Sequence, residues 1–185
     1  MKTFVHRISI GCLSCSILVL AGCASPARTE NMAVHQSVSR TQNMELRGKV
    51  TVLEVTGGTD TNPMWMSKVS SSAFHQALED SLRAAGLMDA VGARGQYQLT
   101  ADLLSLNQPT FGGFDMTVGS SVRYSLVERS TRKEIFSKVI QADYTAAFSE
   151  SFLGSTRLQL ANEGAIRKNI TKLIDELNGL RIQRQ

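Results

Sequence analysis

The chain has 185 residues, of which 42% are hydrophobic and 19% are charged, and it carries 20 Lys and Arg against 16 Asp and Glu. This length and composition predict one globular domain and exclude collagen, full-length disorder and a disulfide-stapled miniprotein. Residues 1–22 hold two of the basic residues and none of the acids, which leaves 18 basic against 16 acidic residues. An excess of two is no electrostatic footprint for nucleic acid, so we expect no nucleic-acid partner.

The first 23 residues have the pattern of an export signal. Lys2 and Arg7 precede an uncharged apolar stretch, residues 8–20, which is too short to cross a bilayer as a permanent helix. This stretch runs into the tetrapeptide Leu20-Ala21-Gly22-Cys23. The tetrapeptide resembles the lipobox of bacterial lipoproteins, in which the chain is cut before the cysteine. The resemblance implies a signal peptide over residues 1–22.

The same resemblance implies a covalent lipid on Cys23, which becomes the first residue of the mature chain. More than one acyl chain gives stable anchoring to a bilayer. Because Ala24 rather than Asp follows the cysteine, the resemblance implies the outer membrane, with the domain on its periplasmic face. Cys12 and Cys15 leave with the signal peptide, so we expect no free thiol and no disulfide in the mature protein.

Residues 23–45 predict a flexible tether after the lipidated cysteine. They are polar, contain Pro26 and show no sustained hydrophobic period. A coil of this length has a reach of roughly 25 Å, which is enough to hold a domain away from the membrane surface. The remaining residues, 46–185, are expected to form a single α+β domain.

Six elements follow in that domain, in the order β-α-β-β-β-α. Residues 49–56 predict a strand, and apolar residues repeating every four positions from Phe74 to Leu82 predict a helix that Gly86 ends. Alternation of apolar and polar residues predicts three further strands, over residues 97–103, 116–126 and 135–144. Apolar residues spaced by four and three from position 166 to position 180 predict the last helix.

Strands with one apolar face and helices with one apolar stripe predict a two-layer sandwich. In this architecture a four-stranded sheet carries both helices on one face and leaves its other face to solvent. Three loops, residues 57–66, 107–114 and 146–155, then meet at one end of the sandwich. We predict that they form a partner-binding surface, since aromatic and methionine side chains are typical anchors of protein interfaces. The alternative is that these side chains fold inward and cap the core. The predicted partner-binding residues are Met64, Trp65, Met66, Phe111, Phe114, Phe148 and Phe152.

The opposite end of the predicted sandwich is basic. It also receives the predicted tether, so we expect it to lie against anionic lipid headgroups, each nearby cation adding about 1 kcal/mol. The basic residues of this end are Arg47, Arg94, Arg129, Arg132, Lys133, Arg181 and Arg184.

No catalytic, metal or cofactor site is predicted. His75 and Glu79 share a helix face, but two ligands do not make a closed metal site. Gly119-Ser120-Ser121 lacks the second glycine of a nucleophile elbow and lies within a strand. We therefore expect a protein that is not an enzyme and has no cofactor beyond the covalent lipid on Cys23.

In pattern, residues 46–180 resemble small accessory lipoproteins of the Gram-negative outer membrane. One comparison is LptE, and another is the LpoB and CsgG group, which the run from Tyr97 through the strand around Tyr124 to Phe136 resembles. The resemblance implies a non-enzymatic accessory or assembly factor that contacts an envelope protein complex. The alternative function is binding or transport of a small amphiphile, lipid or glycan, which requires a cavity between sheet and helices. The pattern predicts neither a particular partner nor an oligomeric state.

Overall fold

A computed structural model describes residues 23–35, 43–64, 66–89, 95–110 and 113–182. The predicted signal peptide, residues 1–22, lies outside the described residues. A 3-10 turn, Phe148–Glu150, precedes the last helix. The helices and strands are α1 (Thr29–Met32), β1 (Val50–Thr56), α2 (Ser71–Ala84), β2 (Tyr97–Asn107), β3 (Met116–Glu128), β4 (Glu134–Ala146) and α3 (Gly154–Gly179).

The four strands form one mixed sheet in the order β1-β2-β3-β4. β1 and β2 are parallel, with Val50 opposite Tyr97, and α2 makes the crossover between them. The other two pairs are antiparallel hairpin-like neighbours. This topology confirms the predicted β-α-β-β-β-α sandwich.

The core lies between the sheet and the two long helices. On β2, residues 97, 99, 101 and 103 are buried and alternate with half-exposed polar residues, as the period of a strand requires. The residues that α2 and α3 contribute to the same hydrophobic cluster are fully buried. They include Phe74, Leu78, Leu82, Ile170, Leu173 and Leu177.

The boundaries of α2 follow from its sequence. Ser70 is the N-cap, and its hydroxyl accepts a hydrogen bond from the Ala73 N–H at 3.2 Å. Gly86 has φ of 72°, the left-handed conformation that ends helices and that glycine adopts without strain. The chain then returns along the sheet edge, where Met88 forms a parallel bridge with Val50.

The last helix is longer than predicted. α3 begins at Gly154, whereas the apolar spacing marks a helix only from Ile166. The extra turns bury Leu158, Ala161 and Ala165 at helical spacing, but they also bury polar side chains, which obscure the hydrophobic period in the sequence. These buried polar residues are Arg157, Gln159, Asn162 and Glu163.

The prediction of a flexible tether over residues 23–45 is wrong for residues 24–34. This segment, hereafter the N-terminal strap, includes α1 and packs against both α2 and α3. Met32 is fully buried, and four further residues of the strap are almost fully buried: Ala24, Ala27, Ala33 and Val34. The predicted tether residues 36–42 lie outside the described residues.

Hydrogen bonds hold the strap along its length. The Arg28 N–H and the Asn31 side-chain amide donate to the Glu163 carboxylate, each at 2.8 Å. Further along, the Val34 N–H donates to the Ser81 hydroxyl of α2 at 2.9 Å. The strap therefore crosses the helical layer from the start of α3 toward the end of α2, and it enters the core of the domain.

Candidate functional site: the apolar end of the sandwich

One end of the sandwich collects the loops that the sequence singled out. β1, β2 and β4 run toward this end, and α2 and α3 begin there. We define the apolar end by the exposed apolar side chains on these loops. They are Met64, Met66, Phe114, Phe148, Phe152 and Leu153.

Three phenylalanines form a row at the apolar end. The Phe148 ring packs edge-on against Phe114, with centroids 5.6 Å apart, and against Phe152, with centroids 5.2 Å apart. This edge-to-face geometry is the favoured one for aromatic pairs. Phe114 and Phe152 are nevertheless 80% and 78% exposed, so the row presents apolar rings to its surroundings.

Arg157 of α3 fixes the loops that carry this row. Its guanidinium is buried and donates to the carbonyl oxygens of Ser151, at 2.7 Å, and Gly113, at 3.1 Å. The same group lies 5.0 Å from the centroid of the Phe148 ring, within cation–π range. Arg157 thus holds the loops of Phe114 and Phe152 beside each other.

The loop that carries Met64 and Met66 is closed at its base. The Lys68 N–H donates to the Thr61 hydroxyl at 2.8 Å, and that hydroxyl is 3.2 Å from the Lys68 carbonyl oxygen. Met64 at the tip is 88% exposed. This tip therefore projects from a loop whose base is tied.

Gln108, after β2, joins the methionine loop to the rest of the end. Its side-chain amide donates to the Ser67 carbonyl oxygen at 2.7 Å and to the Asn162 side-chain oxygen at 2.8 Å. Its own carbonyl oxygen accepts from the Lys68 ammonium at 2.9 Å. The exposed apolar tips consequently stand on a hydrogen-bonded base that spans the sheet and α3.

Cys23 lies at this same end. The Ala24 N–H donates to the Pro63 carbonyl oxygen at 2.9 Å, one residue from Met64, and Cys23 itself is exposed. The expectation that the anchor leaves from the basic end is therefore wrong, because the strap carries the chain across the helical layer before β1 begins. Of the residues predicted for the basic end, the structure describes Arg47, Arg129, Arg132, Lys133 and Arg181, while Arg94 and Arg184 lie outside the described residues.

Most of the predicted partner-binding residues that the structure describes do not cap the core. Met64, Phe114 and Phe152 are strongly exposed, and Met66 and Phe148 are just over one-third exposed. Trp65 and Phe111 lie outside the described residues. Sequence reasoning missed Leu153, which is 59% exposed beside Phe152, and a signal was present in this apolar pair directly before the first glycine of α3.

The buried polar groups between sheet and α3 have structural partners. The Tyr124 hydroxyl donates to the Asn169 side-chain oxygen at 3.0 Å, and the Asn169 amide donates to the Ile140 carbonyl oxygen at 2.9 Å. Burial raises the pKa of Tyr124 above its ordinary range, so the hydroxyl stays neutral. Within the described ranges, no three His, Cys, Asp or Glu residues are grouped so that they could hold a metal.

The outer face of the sheet carries a shallow polar cavity of about 280 Å³. Asp102 lies in it and is already partnered, since it accepts from the Thr56 hydroxyl at 3.0 Å and lies 3.7 Å from the Arg123 guanidinium. Of the helices that the structure describes, none has the length and apolar character needed to span a bilayer.

Comparison with solved structures shows the same fold in other bacterial proteins. Protein XCC0632 from Xanthomonas campestris, of family DUF330, superposes with a TM-score of 0.54 at 14% identity, over 77% of this chain and 94% of that chain. A candidate lipoprotein from Caulobacter crescentus CB15 superposes with a TM-score of 0.52 at 12% identity, over 73% of this chain and 91% of that chain. At these identities the likeness is one of fold. No protein-family model and no curated protein matches the sequence.

Proposed function

We propose that this protein is a bacterial lipoprotein, held by acyl chains on Cys23 at the periplasmic face of the outer membrane. In this proposal it acts without catalysis, as an accessory or assembly factor of an envelope protein complex. The observation that carries the proposal is the lipobox cysteine, which is exposed and directly precedes a folded strap. Acyl chains on Cys23 would reach a bilayer without unfolding the domain. The shared fold of the Caulobacter candidate lipoprotein supports the same reading.

The exposed side chains support binding at the surface of the domain better than storage of a ligand between sheet and helices. Clustered exposed apolar side chains mark protein or membrane interaction surfaces, and the apolar end presents six of them. The alternative, an amphiphile held between sheet and helices, needs space that the inner side chains occupy. Leu78, Leu82, Ile170, Leu173 and Leu177 are all fully buried in one continuous cluster.

The anchor is tested by metabolic labelling with palmitate and by envelope fractionation. The Cys23→Ser variant should lose the label and leave the outer-membrane fraction. Cys12→Ser is the matched control, because it changes a cysteine that the proposed cleavage removes. Retention of label in Cys23→Ser, or its loss in Cys12→Ser, would contradict the proposed anchor.

The accessory role is tested by photo-crosslinking in intact cells. A benzophenone amino acid replaces Leu104, which is exposed on the outer face of the sheet, or Met44, which is exposed near the basic end. A discrete protein adduct at one of these positions is expected for an accessory factor. If neither position gives a protein adduct in cells where palmitate labelling succeeds, the accessory role fails while the anchor stands.

A further inference from the structure

The strap leaves the proposed anchor almost no slack. Ala24 is hydrogen-bonded to the methionine loop, the Ala27 N–H donates to the Lys68 carbonyl oxygen at 3.1 Å, and the Gln159 amide donates to the Pro26 carbonyl oxygen at 3.1 Å. Consecutive Cα atoms are about 3.8 Å apart, so the Cys23 backbone lies within one such step of Ala24. The acyl chains therefore start at the surface of the apolar end rather than beyond a long tether.

Exposed apolar side chains are concentrated at this end. Six of the ten large hydrophobic side chains that are exposed in the described part of the chain belong to it. Apolar side chains at the edge of a bilayer lower their free energy when they move from water to the boundary between headgroups and acyl chains. The proposed lipid anchor and the exposed apolar side chains therefore lie at the same end of the domain.

Electrostatic attraction to lipid headgroups does not favour the apolar end as a membrane-facing surface. The ionisable groups around the apolar end are Asp60, Lys68, Asp115, Glu150 and Arg157, which have no basic excess. Asp115 accepts from the Phe148 N–H at 3.0 Å and Glu150 from the Ala147 N–H at 2.8 Å, so both carboxylates are used within their loops. Attraction to anionic lipid would instead favour the basic end.

We infer that the apolar end is seated in the bilayer that holds the acyl chains of Cys23, an inference that rests on the proposed lipid anchor. The occupant of this surface is lipid: Met64, Phe114 and Phe152 enter the interfacial region, and Arg157 holds the loops in register behind them. The domain then stands on its apolar end, with the basic end directed away from the membrane and the outer face of the sheet left for protein contacts.

The orientation is measured with single-cysteine variants of the lipidated full-length protein. Acylation occupies Cys23, so an introduced cysteine is the only free thiol of the mature chain and takes an environment-sensitive fluorophore. Phe114→Cys places it at the apolar end. Ser130→Cys is the matched control, exposed in the turn between β3 and β4 at the basic end. Vesicles of phosphatidylethanolamine, with or without phosphatidylglycerol, carry nitroxide lipids as quenchers.

We expect several-fold stronger quenching and a blue-shifted emission at position 114, unchanged by salt and by phosphatidylglycerol. Equal or stronger quenching at position 130 would overturn the orientation. Vesicle flotation without quenching at either position would also overturn it, while leaving the proposed anchor intact. Loss of flotation altogether would contradict the anchor itself.

The rival occupant is a protein, and crosslinking in cells separates the two. A benzophenone amino acid at position 152 should add the mass of a phospholipid to the protein. A discrete protein adduct in place of the lipid adduct would overturn the inference. Phe152 is 78% exposed, so the replacement should leave the thermal midpoint close to that of the wild type.

Discussion

Both halves of α3 have buried side chains, but the side chains that they bury differ in kind. In residues 154–165 the buried set includes four polar or charged side chains, whereas in residues 166–179 it includes one, Asn169. The second half packs on the sheet through the main hydrophobic cluster, and the strands of the sheet are paired with one another. The first half packs on β3 and β4 through Leu158, Ala161 and Ala165, and it also packs on loops and on the strap, where backbone groups need other partners.

The partners confirm this reading of the first half. Arg157 donates to two loop carbonyl oxygens, Gln159 to the strap and Asn162 to the Ser67 carbonyl oxygen, while Glu163 accepts from a strap N–H. Buried polar groups are almost always hydrogen-bonded, because an unpaired one costs about 1–3 kcal/mol. Where a helix covers irregular chain, it therefore needs polar side chains as hydrogen-bond partners. Where a helix covers a sheet, it needs apolar side chains.

The largest effect is expected in the second half. Leu173→Ala leaves a cavity among fully buried neighbours and should lower the free energy of unfolding by about 2–5 kcal/mol. Urea unfolding measures the change. Leu153→Ala is the control at an exposed position of the apolar end and should stay within about 0.5 kcal/mol of the wild type. Similar losses in the two variants would contradict the assignment of the core.

A smaller but localised effect is expected in the first half. Glu163→Ala removes the acceptor for Arg28, Asn31 and Gln159, and it should cost about 1–3 kcal/mol. Hydrogen exchange should show faster exchange of the strap amides, with the sheet amides little changed.

Glu176→Ala makes the same replacement in the second half of α3. Glu176 is partly exposed and pairs with Lys138 at 2.7 Å, a surface contact worth about 0–1 kcal/mol. If Glu163→Ala frees the strap no more than Glu176→Ala does, the strap does not depend on the polar face of α3.

The same contrast explains which elements the sequence reveals. Strands and helices that pack on each other alternate apolar and polar residues with the period of their geometry, so all six were predictable. In the first half of α3 the apolar period is obscured, because the buried face also carries Arg157, Gln159 and Glu163. Its helical state depends on partners that are distant in sequence.

The strap and the anchor position were hidden for a related reason. Three of the buried strap residues are alanines, and their burial comes from contacts of the strap with α2, α3 and the loop before α2. Composition alone predicts a coil there. Topology placed Met64, Phe114 and Phe152 at one end, but the path of the strap, which brings Cys23 to that end, is set by tertiary contacts such as Ala24 with Pro63.

A moderate, pH-dependent effect is expected for the buried hydrogen bonds of Asn169 in the second half. Tyr124→Phe removes the hydrogen bond to Asn169 and should cost about 0.5–1.5 kcal/mol at neutral pH. Burial raises the pKa of Tyr124, so its contribution is full below the unfolded pKa near 10 and is lost as the pH rises beyond it.

Urea unfolding across the alkaline range therefore distinguishes the two proteins. Wild type should lose stability more steeply than Tyr124→Phe as the pH rises above about 10, because only wild type must ionise this phenol on unfolding. Parallel curves for the two proteins would mean that the Tyr124 hydroxyl reaches solvent in the folded state.

The smallest effect concerns the tyrosine that packs on the first half. A Cβ at Gly164 would overlap the Tyr144 ring, so the glycine permits this close approach.

The pKa of Tyr144 is raised, first by burial and then by the Glu150 carboxylate, whose oxygen lies 3.3 Å from the hydroxyl. Glu150→Gln should lower that pKa toward its ordinary value. NMR titration of the Tyr144 ring measures the change, with Glu176→Gln as a control on the far half of α3. An unchanged pKa in Glu150→Gln would mean that the Glu150 carboxylate does not act on the Tyr144 phenol.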